Sequence, residues 1–281
     1  MQASIAYIRK ELKDLYPDQE IEGLVRLIFS ALRNYTPTDL LLKKNERLTP
    51  DEQLHLNEIV RRLKKHEPIQ YILGETEFYS LPFQVTEDVL IPRPETEELV
   101  DWILKDLTIA SPVILDVGTG SGCIPVSLKK FLPAAKVMGC DISEKALKVA
   151  RANAGINQTE VAFFHLDILN PLLPATFPGL DILVSNPPYV TEKEKQLMQP
   201  NVLAHEPHSA LFVPDEDPLV FYAALVRFGR QHLKKGGKLF WEINEAFGPA
   251  CVHLLEENGF DNVQLKKDIN GKNRMIAARY V

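Results

Sequence analysis

Cysteine is scarce in this chain of 281 residues: Cys123, Cys140 and Cys251 are the only three. They are odd in number and scattered, match no zinc-ligand spacing and suggest no disulfide framework, which favours a reducing cytoplasm. No apolar run approaches the length of a membrane span. The opening residues, Met1-Gln2-Ala3-Ser4-Ile5, meet charges by Arg9, Lys10 and Glu11, which is not a signal-peptide pattern. Basic excess is missing too. Thirty-two Lys and Arg stand against 38 Asp and Glu, for a net charge of -6 and a pI near 5.7. A protein that grips nucleic acid by neutralising phosphates carries the opposite balance. Internal repeats and low-complexity segments are also lacking. What remains is ordinary for a globular protein, with 45% hydrophobic and 25% charged residues. The length suits one large domain or two modest ones.

The first 77 residues read as short helices. Ile5, Ile8, Leu12 and Leu15 recur at helical spacing, as do Ile21, Leu24, Val25, Ile28, Phe29 and Leu32. Thr49-Pro50-Asp51-Glu52 predicts a helix start, with a capping box and proline at the first position. That helix turns Leu56, Ile59, Val60 and Leu63 inward and ends before Pro68. Charge through Val85 nearly balances, 12 basic against 13 acidic residues. Residues 78–94 change character: Pro82, Pro92 and Pro94 interleave with Phe83, Val85 and Val89, predicting a strand pair or extended linker. Residues 95–281 then form the main domain. A helix over Glu95 to Leu107 precedes strands at Val113–Val117, Lys136–Cys140, Val161–Leu166, Asp181–Ser185 and Lys238–Ile243. Helices fall at Ser143–Asn157, Leu219–Leu233 and Ala246–Asn258. Val263–Lys267 and Arg274–Tyr280 close the chain as a strand pair with no helix between, hence antiparallel. Alternating strands and helices imply an α/β fold, a mostly parallel sheet covered on both faces.

Ligands of such sheets bind beyond the carboxyl ends of the strands. There, Asp116-Val117-Gly118-Thr119-Gly120-Ser121-Gly122 follows the first strand. Its glycines permit a tight turn and close backbone approach by a ligand. Asp141 ends the second strand and suits a carboxylate accepting from both ribose hydroxyls. A nicotinamide turn would read G-x-G-x-x-G, but here the third glycine comes one residue early. Asp167-Ile168, after the third strand, would lie against an adenine; Asp167 is equally an ordinary loop aspartate.

Asn186-Pro187-Pro188-Tyr189 ends the fourth strand, 70 residues after Asp116. Together the two turns point to methyl transfer from S-adenosylmethionine to a planar nitrogen carrying an NH2 group. An amide nitrogen is a poor nucleophile because its lone pair is delocalised into the carbonyl. A useful site accepts both N–H bonds and aims the lone pair at the methyl carbon. The Asn186 side-chain oxygen can accept one and the Pro187 carbonyl the other, while proline stiffens the turn and offers no donor. Tyr189 offers a flat face to a planar acceptor. Orientation and electrostatics then carry catalysis, with no strong base required. Two other clusters read as bland. Arg61-Arg62-Leu63-Lys64-Lys65 is better taken as a solvated helix face than an RNA site. His205-Glu206-Pro207-His208 has a zinc-like separation that its proline disrupts, so no metal is expected.

At these residues the chain resembles the HemK/PrmC family of protein-(glutamine-N5) methyltransferases, which modify peptide chain release factors. The resemblance spans almost the whole sequence. Glu67-Pro68-Ile69-Gln70-Tyr71-Ile72-Leu73-Gly74 and Leu90-Ile91-Pro92-Arg93-Pro94-Glu95-Thr96-Glu97 separate this family from other methyltransferases with Asn-Pro-Pro-Tyr. Glu206-Pro207, Asp268-Ile269-Asn270-Gly271 and Arg274 add weaker support. The resemblance implies a small all-α N-terminal domain, a β-hairpin linker and a class I methyltransferase domain, Rossmann-like with seven strands. It implies donor contacts along Gly118 to Gly122 and at Asp141, Ile168 and Asn186, to which position adds Asp116 and Asp167. It also implies that Asn186, Pro187, Pro188 and Tyr189 grip the glutamine of a Gly-Gly-Gln motif, and that the helical domain holds the release factor's body. The chain departs from the family pattern at Ser80, often glycine; at Pro125, early in a helix; at Ile168, sometimes aromatic; and at Asp217-Pro218-Leu219, commonly Asp-Gly-Leu. Three alternatives stand: an adenine methyltransferase for DNA or RNA, a glutamine methyltransferase of a ribosomal protein, and a non-catalytic docking module. Nothing in the sequence demands more than a monomer.

Overall fold

The computed structural model describes residues 1–281, the side chain of Leu197 excepted. The chain packs as two compact units, Met1–Glu75 with Gln199–His205, and Thr76–Met198 with Glu206–Val281.

The smaller unit is built on α1 (Gln2–Leu12), α2 (Asp18–Arg33), α3 (Pro37–Leu42), α4 (Pro50–Leu63) and α5 (Ile69–Leu73). Ile8 and Leu12 meet Ile21, Leu24, Val25, Ile28 and Phe29 of α2 and Leu56, Ile59, Val60 and Leu63 of α4 in one buried core. Leu15 does not extend the first stripe; α1 stops at Leu12 and Leu15 is 38% exposed. Thr36–Asp39 and Thr49–Glu52 both form complete capping boxes behind a proline, each satisfying two otherwise unpaired N–H groups. The basic run is paired within the unit: Arg61 with Glu58, Arg62 with Glu67 and Lys64 with Glu11.

The larger unit opens on a hairpin of β1 (Glu75–Phe78) and β2 (Leu81–Gln84). Its tip places Tyr79 and Ser80 at φ 50° and 59°, the paired left-handed conformation that matches strand twist in a two-residue turn. The Tyr79 N–H donates to Glu97 at 2.9 Å. The Asn153 side chain exchanges hydrogen bonds with the Gln84 backbone at 2.7 and 2.9 Å, so β2 is stitched to a helix far along the chain. A residue with a Cβ held at positive φ costs about 1–2 kcal/mol over glycine. Part of that cost returns through glycine's looser unfolded state, so Ser80→Gly should raise stability by up to about 1 kcal/mol. A thermal midpoint that fails to rise would mean the turn bears no strain.

The sheet follows α6 (Pro94–Asp106). After α6 the chain runs through β3 (Val113–Val117), α7 (Cys123–Phe131), β4 (Lys136–Asp141), α8 (Glu144–Ile156), β5 (Ala162–His165), β6 (Leu180–Ser185), β7 (Val190–Thr191), α9 (Pro200–His205, which belongs to the smaller unit), β8 (Phe212–Val213, paired with β7 alone), α10 (Val220–His232), β9 (Leu233–Glu242), α11 (Gly248–Glu257), β10 (Phe260–Lys267) and β11 (Asn273–Tyr280). Seven strands lie in the order β10-β11-β9-β6-β3-β4-β5, and only β11 runs against the others. Leu115, Leu183, Leu239, Trp241 and Ile276 pack with α10 and α11, while Ile114, Ile182, Val184, Phe240 and Met275 pack with α6 and α7. This alternation between two buried faces is why the strands read as continuous apolar runs.

β9 begins at Leu233, five residues before the predicted Lys238. Leu180 pairs with Leu233 and Ile182 with Lys238, so the β9 segment between them bulges. Gly236 turns there at φ 79°, and a side chain on Gly237 would stand 2.9 Å from the Lys234 carbonyl. The Gly-Gly pair is therefore a bulge inside a strand. The short pair β7 and β8 was not legible in the sequence, because two residues carry no periodicity.

Candidate active site

The chain leaves β3, β4 and β5 on one side of the sheet and crosses to β6 on the other. The crevice at the carboxyl ends of β3 and β6 is the switch point where open α/β sheets hold ligands. Val117 and Ser185 end these strands as register partners, and the Ser185 hydroxyl donates to the Val117 carbonyl at 2.7 Å. The glycine turn and the Asn-Pro-Pro-Tyr turn start from these two anchored ends.

Gly118, Gly120 and Gly122 all lie at positive φ, 71°, 53° and 79°. Gly118 and Thr119 donate their N–H groups to the Cys140 carbonyl, both at 2.9 Å. A Cβ on Gly122 would come within 3.0 Å of Ala150, so here glycine is needed for close helix approach. Gly118 and Gly120 would meet nothing within 4 Å: the space over them is open. Asp141 accepts the Gly120 N–H at 2.8 Å and the Ser143 N–H at 2.9 Å, one on each oxygen. Burial raises its pKa, against those backbone hydrogen bonds and nearby His165. Each oxygen retains a lone pair for a further donor. Ile142, the next residue, is 59% exposed and lends this rim an apolar surface that the sequence reading missed.

Asp116 is sealed from solvent, and neither carboxylate oxygen has a hydrogen-bond partner among the described residues. Burial pushes its pKa up to about 8; the nearby Thr119 hydroxyl counters part of the rise and Asp141 adds to it. Thr119 itself lacks a partner that meets hydrogen-bond geometry, and both Thr119 and Ser121 are buried beneath the turn. Asp167 engages both oxygens locally, with the Leu169 N–H at 2.9 Å and the Asn170 amide at 3.2 Å. Ile168 is half-buried against the core. An open glycine cradle, a carboxylate with spare lone pairs and an orphaned acid suit a ligand that combines hydroxyl groups with a cation.

Across the switch point, Asn186 is half-buried and its Nδ2 lies 3.3 Å from the Thr96 hydroxyl. Pro187 is buried; Pro188 and Tyr189 are half-buried. The Tyr189 ring packs against the main core. Burial and Glu242 push its hydroxyl pKa well up, opposed by Arg274. The Asn244 side chain donates to the Tyr189 carbonyl at 3.1 Å and to Glu194, which holds the chain beyond the turn. Glu206, almost fully buried, accepts from Arg93 at 2.5 Å. Asp268 accepts from Arg274 at 3.1 Å and from the Asn270 and Lys272 N–H groups. Glu242 and Asn244 carried no signal in the sequence; Arg93, Thr96, Glu206, Asp268 and Arg274 stood out only through family resemblance. His205 directs its ring to the Lys65 carbonyl at 3.2 Å, and among the described residues no three His, Cys, Asp or Glu side chains group as metal ligands. No helix among them is long and apolar enough to cross a membrane.

Comparison with known proteins adds relatives to this geometry. Residues 4–74 match the PrmC N-terminal domain and residues 96–211 the Methyltransferase small domain. The release factor glutamine methyltransferase of Bacteroides thetaiotaomicron is 47% identical over 97% of this chain and 98% of its own length. The protein of the same name from Flavobacterium psychrophilum is 45% identical over 96% of this chain and 95% of its own. Among solved structures, a methyltransferase from Pyrococcus furiosus superposes with a TM-score of 0.54 at 16% identity, covering 82% of this chain and 98% of its own. A 16S rRNA N2 G1207 methyltransferase of T. Thermophilus also gives 0.54, at 18% identity over 74% of this chain and 50% of its own. These two share the class I methyltransferase fold.

Proposed function

Since the chain belongs to the release factor glutamine methyltransferase family, we propose that it methylates the side-chain nitrogen of the glutamine in a release factor's Gly-Gly-Gln motif. When bound, S-adenosylmethionine would supply the methyl group from its sulfonium and leave as S-adenosylhomocysteine, and the methylated nitrogen would then give up one proton to solvent. The observation that carries this reading is Asn186 at the carboxyl end of β6, beside the glycine turn that ends β3. Gly118 to Gly122 cradle the donor, Asp141 takes its ribose hydroxyls and Asp116 faces its cationic end. Ile142 and Ile168 flank the adenine, with Asp167 shaping the turn beside it.

Asn186 Oδ1 and the Pro187 carbonyl accept the two N–H bonds of the glutamine amide. Two acceptors in one plane hold the nitrogen with its lone pair toward the methyl carbon and favour the positive charge that grows on it. Tyr189 and Pro188 wall the amide. The helical unit contributes recognition of the release factor, having no catalytic constellation of its own. The test is mass spectrometry of a release factor incubated with labelled donor, beside its Gln-to-Ala variant and adenine-containing DNA. A methyl on adenine, lysine or arginine would defeat the reading.

Donor binding should be linked to protons. Below about pH 8, the buried Asp116 holds a proton in the free protein. A cationic ligand favours the carboxylate, so binding should expel that proton, and affinity should rise with pH towards 8. Calorimetry at pH 7 in buffers of different ionisation enthalpy measures it. Heats that do not vary with buffer would show that Asp116 does not change protonation.

A further inference from the structure

Glu242 stands one position beyond Trp241, the register partner of Ser185, so it ends β9 beside the start of the Asn-Pro-Pro-Tyr turn. It is 1% exposed and Thr96 is 2% exposed. The Thr96 hydroxyl lies beside the Glu242 carboxyl and holds its pKa down, and it accepts from Asn186 Nδ2 at 3.3 Å. Oε1 of Glu242 has no partner among the described residues. A buried acid left partly unpaired is costly, and nothing in sheet packing requires one here.

We propose that Glu242 and Thr96 are positioning residues that fix which way the Asn186 amide points. A threonine hydroxyl has one proton and two acceptor sites. Ionised Glu242 can only accept, so it takes that proton. Thr96 then has only lone pairs for Asn186 and must receive an N–H from Nδ2. Asn186 Oδ1 is thereby committed to the open side, where the proposed mechanism needs an acceptor for the glutamine N–H. With the amide reversed, the site would present donors to an NH2 group, and the grip would fail. The inference rests on the proposed glutamine chemistry for its catalytic meaning, but the orientation itself does not depend on the substrate.

The relay depends on pH. The charged or titratable groups around Glu242 are Glu95 on α6, Arg93 before it, Arg274 on β11, Tyr189 after β6, Tyr222 on α10 and Cys123 on α7. Burial lifts Glu242 to about 7, with Glu95 adding to the rise and Thr96, Arg274 and Arg93 opposing it. Below that pH a protonated Glu242 can donate to Thr96, free the threonine proton for Asn186 Oδ1 and turn the amide round.

Steady-state kinetics of the full chain on a release factor provides one test. Thr96→Val should lower kcat about tenfold, the worth of one hydrogen bond of this kind, while Thr96→Ser restores it and donor affinity holds in both. Turnover of the wild type and of Thr96→Ser should fall below about pH 7, and Glu242→Gln should lose that acid limb. Equal turnover in Thr96→Val and Thr96→Ser, or an unchanged limb in Glu242→Gln, would overturn the relay. Neutron diffraction of wild-type crystals held at about pH 9, where Glu242 is ionised, reads the orientation without substrate and without any variant. Nδ2 towards Thr96 is expected, and Oδ1 in its place overturns the proposal. Wild-type protein that does not methylate a release factor would count against the substrate reading, and the neutron result would still decide the relay.

Discussion

Replacing Asn186 with alanine is expected to lower turnover on the order of a hundred- to a thousand-fold, the loss seen when one preorganised group facing a developing charge is removed. Donor affinity should stay within a modest factor. Asn186 follows a strand whose six residues are all buried and whose end is tied to β3 through Ser185, so the truncation removes an acceptor without loosening its support. The loss should fall on kcat, because the acceptor matters most when the glutamine nitrogen turns cationic. Asn186→Asp should retain more activity than alanine, since it keeps an acceptor, yet less than the wild type, since it has no N–H for Thr96. Single-turnover rates on a release factor check the series. Unchanged turnover in a folded Asn186→Ala protein would remove this residue from the reacting atoms.

Asp141→Ala should weaken S-adenosylmethionine binding by about 1.5–3 kcal/mol, or roughly ten- to 150-fold, the worth of hydrogen bonds to a charged group. The ribose does not react, so the loss appears in donor affinity far more than in the chemical step. Asp141 also holds the Gly120 and Ser143 N–H groups, so part of the effect is a slackened glycine turn. Asp141→Asn separates the two contributions: its oxygen can still accept one backbone N–H, but it brings no charge to the ribose. It should bind the donor better than alanine and less well than the wild type. Calorimetry on each purified variant, with a thermal melt to confirm folding, gives the comparison. Native affinity in Asp141→Ala would exclude the carboxylate from the donor site.

The strands were legible because those of a doubly covered sheet are runs of β-branched and apolar residues, as in Val113–Val117 and Leu180–Ser185. Their order was legible only up to a mostly parallel sheet. The glycine turn, Asp141 and Asn186 announced themselves because local backbone geometry demands particular residue types there. Element ends were read less well. Leu15 kept the spacing of a core residue after its helix had stopped, and the predicted strand start at Lys238 left out residues 233–237, which bulge within β9 around Gly236-Gly237.

By itself, then, the sequence determined the class of fold, the two turns of the candidate site and the residue types they present. Each is a short-range property, set by periodicity, by glycine's access to positive φ or by proline's missing donor. Tertiary structure alone decided what surrounds those turns. Thr96 comes from the first turn of α6 and Glu242 from the end of β9, 90 residues before and 56 after Asn186. Thr96 stood out only as part of the family-specific segment of residues 90–97 and Glu242 not at all, because a buried threonine and a strand-end glutamate carry no role that is visible in a linear chain. Their meaning arises when the connection from β6 to β9 sets the ends of these two strands side by side, near the start of α6. There, loss of water makes one hydroxyl proton and one carboxylate charge decide the direction of an amide.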